Sequence, residues 1–312
     1  MQAEVAVGSE GVARVSKSTI FLLISAVAVG ALCVVLHSHA HATACSLRYL
    51  ALTLGALALI KVANSAAVVL PKTLARIVHW IHAIAFEILS LVGVLALRIS
   101  SYWIRYDRTV GPTNGAPILL IHGYFNTCSV WVYFRRFFAK EGVGPVYTLS
   151  LGQPFASIET HAATVARKVA EIQRETGRTD LILVCHSMGG LVGSYYALHL
   201  APPNTVQGII TIASPLQGTR VAQFAPGRCC REMEWRSPFV QGLAASLQKR
   251  ADLPLYHIAT RTDQLIIPYS SALLNPDPAH QCIVEDVGHA SLLFSPRVTA
   301  QIKTWLQALR SV

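Results

Sequence analysis

The stretch LILVCHSMGG, Leu181 to Gly190, decides the fold. Leu181 to Cys185 is a short, wholly apolar run, as a strand buried on both faces would be. It stops at His186-Ser187, and Met188-Gly189-Gly190 opens the next element, read as a helix. A serine on a sharp strand-to-helix turn is held in a strained backbone conformation with its hydroxyl exposed above the sheet. Residues two before and two after it approach each other closely in such a turn, so small side chains are expected there. Gly189 meets that need, and Gly190 lets the helix pack close. Cys185 stands where a G-x-S-x-G turn has glycine. It is larger by one Cβ and one sulfur, a strain of about 1 kcal/mol. At the buried end of a strand its thiol is raised in pKa and inert, so Ser187 and not Cys185 is the expected nucleophile. His186, inside the turn, is read as a positioning or packing residue, because a side chain next to the serine does not curl back onto its hydroxyl.

Outward from this turn the chain alternates. Gly111 to Gly115 is a turn-rich linker, followed by the strand PILLIHG, the helix VWVYFRRFFAKEG and the strand PVYTLSL. The amphipathic helix IETHAATVARKVAEIQRETG stops at Gly177. After LILVC and its helix come the strands VQGIITIAS, PLYHIATRTD and QCIVEDV, then a last helix through RVTAQIKTWLQAL. Apolar strands alternating with helices make a mostly parallel sheet covered on both faces. Ligands of such sheets bind at the carboxyl ends of the strands.

The residues with chemistry fall at those ends. A serine hydroxyl needs a base, and His289 in DVGHASLL follows the last strand directly. An acid that orients the imidazole is expected between nucleophile and base in the chain. Asp263 in IATRTDQLIIP occupies that place, with Asp286 and Asp277 as rivals. The oxyanion needs two backbone donors. One is the Met188 amide at a helix N-terminus; the other comes from the loop after the first strand, Tyr124 first and Phe125 second. Gly123 lets that loop turn back, and His122 is expected to hold it by hydrogen bonds.

The first hundred or so residues read differently. Ser18 to Leu36 is apolar throughout and long enough to cross a bilayer. A second run, Leu47 to Leu70, carries Arg48 at its start and Lys61 within, and a third, Ile77 to Ile99, carries His79, His82 and Glu87. A cleaved signal peptide resembles the first run alone; the series points instead to a multi-pass membrane anchor over residues 1–110, ahead of a catalytic domain over 111–312. Glu87 at mid-bilayer is costly unless paired, which favours the third run lying against protein or in the membrane interface. With the first two runs spanning, the placement of Lys and Arg puts both ends of the chain in the cytoplasm. His37, His39 and His41 are read as a polar loop rather than a metal site.

Only 13% of the 312 residues are charged, with 26 Lys and Arg against 16 Asp and Glu, about half of the excess lying before Asn114. That surplus suits a surface facing anionic lipid. No basic stretch is interleaved with aromatics, which argues against a nucleic-acid partner. Seven scattered cysteines without C-x-x-C spacing argue against a disulfide framework or a zinc site.

Taken in order, IHGY, CHSMGG, ASPLQGT, RTDQLIIP and GHASLL resemble the α/β-hydrolase family, in its bacterial lipase and esterase branch, over about residues 115 to 310. The resemblance implies the α/β-hydrolase fold, a triad of Ser187, Asp263 and His289, an oxyanion hole at Tyr124 and Met188, and neither metal nor organic cofactor. It places a cap over the site at about 218–250, where Phe224, Trp235, Phe239 and Leu243 face an acyl chain or simply pack on the core. The expected function is a serine hydrolase anchored in a membrane, the bacterial inner membrane by this resemblance. It would cleave apolar acyl or lipid esters through an acyl-enzyme. The alternatives are a thioesterase or amidase with the same triad, and a non-catalytic binding or assembly module.

Overall fold

The computed structural model describes residues 72–113, 115–275, 277–285 and 287–310, with side chains from residue 83 onward. The two apolar runs at 18–36 and 47–70, the His37–His39–His41 cluster and Asp286 lie outside the described residues.

A 29-residue helix, α1 (Lys72–Ser100), comes first. Then follow β1 (Ile118–Ile121), α2 (Val132–Lys140), β2 (Val146–Thr148), α3 (Ile158–Thr176), β3 (Leu181–His186) and α4 (Met188–His199). The second half holds β4 (Val206–Ile212), α5 (Arg228–Glu232), α6 (Pro238–Gln248), β5 (Leu255–Thr260), β6 (Gln281–Val284) and α7 (Pro296–Arg310). The strands form one sheet in the order β2-β1-β3-β4-β5-β6, and every pairing is parallel.

Strand periodicity sorts the core into two halves. Leu119, Ile121, Leu183 and Cys185 point to the face covered by α3, α4 and α6. Ile118, Leu120, Ile182 and Val184 point to the other, covered by α2 and α7. With both faces dry, each central strand is apolar at consecutive positions, which is why β3 reads as an unbroken run. Helix ends follow their local signals: Ser157 Oγ accepts from the Thr160 amide at the start of α3, and Gly177 ends it with φ of 70°.

The strand order turns around between β1 and β3: the chain runs from β1 outward to β2, then back across to β3. A crevice opens at such a reversal, beyond the carboxyl ends of the two strands. Ser187 leaves β3 there, and the loop from His122 leaves β1 beside it.

Helix α1 packs on the same domain. Within it Ala83–Ser100 is apolar enough to cross a membrane, with mean hydropathy 2.0, and it is the one described helix that is. Its buried stripe holds Ala83, Glu87 and Ser90, while Ile84, Ile88 and Val92 face outward. Glu87 is thus paired against protein, as its cost in lipid leads one to expect.

Candidate active site

Ser187 has φ of 55° and ψ of −129°, a region strained for a residue with a Cβ by about 1–3 kcal/mol. What holds it there is the absence of side chains around it. A Cβ on Gly123 would lie 2.7 Å from Ser187 Cβ and 3.2 Å from its Oγ, so the loop after β1 passes directly over the serine. A Cβ on Gly189 would lie 2.4 Å from the Ile121 carbonyl oxygen, and one on Gly190 would lie 2.2 Å from Ser214 Oγ. The sequence suggested that Gly189 must be small because it meets Cys185. The nearest atoms to Gly189 are instead the Ile121 and His122 carbonyls at the end of β1.

Cys185 is accommodated elsewhere. Its Sγ would lie 2.7 Å from a Cβ on Gly193, almost two turns into α4. The sulfur occupies space that Gly193 leaves empty, so the turn closes without glycine at 185. Fully buried, the Cys185 thiol is pushed far above its ordinary pKa by desolvation, as an inert thiol should be.

His289 and Asp263 meet beside His186, the residue before the serine. His289 Nδ1 lies 3.0 and 3.1 Å from the two Asp263 carboxylate oxygens, and both side chains are almost wholly buried, 4% and 2% exposed. Asp263 Oδ1 also accepts from the Leu265 and Ile266 amides, each at 2.8 Å, so the carboxylate is fixed by its own turn. Burial alone would lower the His289 pKa. The charge and hydrogen bond of Asp263, with the charge of Glu87, outweigh it and leave the imidazole above its ordinary value. Asp277 lies apart: its carboxylate caps the turn at Pro278 and pairs with His280.

Two further histidines brace the site. The ring of His186 is 4.7 Å from that of His289, and its Nε2 lies 3.2 Å from the His289 carbonyl oxygen. Burial and the neighbouring His289 charge hold His186 well below its usual pKa, so it is neutral and donates to that carbonyl. His122 donates from Nδ1 to the Gly123 carbonyl and accepts the Leu151 amide at Nε2, at 2.8 and 3.0 Å. Burial brings it down to about 4, again neutral. It holds the loop that carries Tyr124.

That loop runs close over Ser187 at Gly123. Tyr124 follows, and Phe125 adopts φ of 56°. The Met188 amide opens α4, where N–H groups have no partner within the helix and the helix dipole favours negative charge. Among the described residues Ser187 Oγ makes no hydrogen bond to His289, and such contacts often tighten only around substrate.

Of Phe224, Trp235, Phe239 and Leu243, read as facing an acyl chain or packing on the core, most pack. Leu243 packs into the core, Phe239 stacks on Tyr195 at 6.1 Å, and Trp235 sits between Arg220 and Arg236. Of the four, Phe224 alone is strongly exposed, at 49%. A cluster missed by the sequence is built on the loop after β1: Tyr124, Phe125 and Phe155 have ring centroids 6.0 to 6.3 Å apart, and the two phenylalanines are about half exposed. Loop aromatics carry no periodicity that would have revealed them. The segment from Gly227 docks on this cluster's base, through the Arg228 amide to the Phe155 carbonyl.

The residues 118–255 match the alpha/beta hydrolase family. A triacylglycerol lipase of Burkholderia plantarii is 24% identical over 161 residues, 49% of this chain and 43% of the relative; the chain thus spans less than half of that protein's length. Among solved structures, the mature form of a Bacillus licheniformis lipase superposes with a TM-score of 0.54 at 16% identity, over 64% of this chain and 94% of that one. Aspergillus fumigatus lipase B does so with 0.52 at 18% identity, over 67% and 58%. At such identities the likeness to solved structures establishes the fold. The described domain thus has the alpha/beta hydrolase fold, and residues 118–255 within it match that family.

Proposed function

We propose that this chain is a serine hydrolase that cleaves carboxylic esters of apolar acyl compounds, lipid esters foremost, through an acyl-enzyme on Ser187. His289 takes the Ser187 proton as the Oγ attacks the ester carbonyl, and Asp263 steadies the resulting imidazolium. The Met188 and Tyr124 amides receive the oxyanion; one such donor contributes ~3 kcal/mol of transition-state stabilisation. His289 then protonates the departing alcohol, and water, activated by the same imidazole, releases the acid. The observation that carries this reading is the buried Asp263–His289 pair, packed on His186 next to a serine held at positive φ.

The acyl preference follows from the exposed rings of Phe125, Phe155 and Phe224 near the oxyanion loop, which favour an apolar chain over a charged one. Membrane attachment belongs to the same proposal. The outward Ile84, Ile88 and Val92 of α1, and Tyr102, Trp103 and Ile104 after it, suit a lipid interface.

Hydrolysis of p-nitrophenyl acetate, butyrate, octanoate and laurate by the full chain in detergent tests this. Turnover should rise toward the longer chains and vanish in Ser187→Ala. Failure of the folded protein to turn over any of the four would overturn it.

A further inference from the structure

Helix α1 lies ahead of the segment that matches the family, yet it reaches both loops of the site. Glu87, 5% exposed on its inward stripe, accepts the Ala290 amide at 2.7 Å and the Ser291 amide at 3.0 Å, one on each carboxylate oxygen. These are the two residues after His289. On the other side of His289, a Cβ on Gly288 would lie 2.4 Å from Glu87 Oε2. The carboxylate therefore bonds the backbone after the imidazole and lies close against Gly288 before it. Eleven residues along the same helix, Arg98 donates from Nη1 to the Phe125 carbonyl at 2.7 Å, with its guanidinium 4.4 Å from that ring's centroid. One rigid helix is thus tied to the histidine loop at one point and to the oxyanion loop at another.

We propose that Glu87 is a positioning residue for His289, holding the loop in which the imidazole faces Ser187, and that α1 is in this way a working part of the active site. The proposal rests on the reading of Ser187, His289 and Asp263 as the triad. Both Glu87 oxygens accept, the pattern of a carboxylate, and an isosteric amide would turn an N–H against one of the two backbone N–H groups. The charged and titratable groups around His289 are Asp263 at its Nδ1, Glu87 behind the following amides, and the neutral ring of His186. Asp263 and Glu87 both favour the imidazolium, so loss of the Glu87 charge lowers the His289 pKa as well as loosening its loop. A residue that merely stabilised the fold would leave that titration where it is.

The test compares wild type, Glu87→Gln and Glu87→Asp as full chains in detergent. It uses the pH dependence of kcat/KM on a p-nitrophenyl ester and the NMR titration of the His289 imidazole. Glu87→Gln should lower kcat by tenfold or more with little change in KM, and move both the acid limb and the His289 titration down by ~0.5 unit or more. Glu87→Asp, which keeps the charge on a shorter arm, should lower kcat while leaving the titration near that of wild type. A folded Glu87→Gln protein with wild-type kcat and an unmoved His289 titration overturns the proposal. Should Glu87→Gln fail to fold, Glu87→Asp decides: unchanged kcat overturns it. Should wild type prove inactive, the triad reading fails separately, and the His289 titration in Glu87→Gln still decides, an unmoved one counting against Glu87.

Discussion

The two halves of the site are built by opposite means. Around Ser187 the structure is shaped by side chains that are missing: Gly123, Gly189, Gly190 and Gly193 each sit where a Cβ would collide with a neighbour. Around His289 it is shaped by side chains that are present, with Asp263, Glu87 and His186 each bonding the histidine or its loop. The half around Ser187 is a backbone solution, drawn from its own turn, the loop after β1 and the first turns of α4. The half around His289 is a hydrogen-bonded assembly whose parts come from α1, β3 and the β5 loop. Substitutions in the first half should therefore act through space and stability. Those in the second should act through charge, tautomer and pH.

The sharpest way to separate the halves is Asp263→Asn, which breaks only the second. It should reduce kcat/KM by roughly 10³–10⁴-fold while the protein melts close to wild type, because the wrong imidazole tautomer is held in intact geometry. Steady-state kinetics beside a thermal melt reads both. Gly123→Ala attacks the first half; its Cβ displaces the serine or the loop after β1. An activity loss of about 10²-fold is expected, together with ~1–3 kcal/mol of destabilisation in a denaturant titration.

A double-mutant cycle at Cys185 and Gly193 sharpens the claim about volume. Gly193→Ala alone should destabilise by about 1–3 kcal/mol, and Cys185→Ala, which opens the space beside it, should recover a good part of that when the two are combined. Strict additivity would show that the sulfur does not fill the Gly193 space. Turnover should persist in Cys185→Ala.

The histidines divide by sign. His289 lies above its ordinary value, so kcat/KM should fall as pH drops through a value above about 6.5, the free-imidazole reference. His122 and His257 are brought down to about 4, chiefly by burial. Their folded pKa values lie below the unfolded ones, so the stability they contribute is present above about 6.5 and is lost as pH falls toward 4. Urea titrations across that window check this, and a flat stability profile would contradict it. The smallest effect is expected at the aromatic rim, where Phe155→Ser should reduce the preference for laurate over acetate by about threefold, through lost apolar contact alone.

The halves also differ in how far they could be read from sequence. The strand, turn and helix around Ser187 were legible because strand burial, the serine and the following glycines all fall within ten residues, and each constrains the next. The parallel sheet was legible from the same apolar strands. The placements of Asp263 and His289 followed from their positions after β5 and β6, although distance in the chain hid which carboxylate the imidazole would meet. Glu87 was visible only as an anomaly, a charge in an apolar run. Its partners lie more than two hundred residues away, and no spacing rule connects them. Gly193 as the complement of Cys185, and Phe155 beside Tyr124, were illegible for the same reason: each is a contact between elements that only the fold brings together.

Everything proposed for the site depends on Ser187 being activated by His289. A fluorophosphonate reacts covalently with an activated serine, so labelling of the full chain in detergent, followed by peptide mapping, measures this directly. The label should fall on Ser187 in wild type and be lost, or slowed by at least ~10²-fold, in a folded His289→Ala protein. A folded wild-type chain that takes no label, or one that His289→Ala labels equally fast, would contradict it.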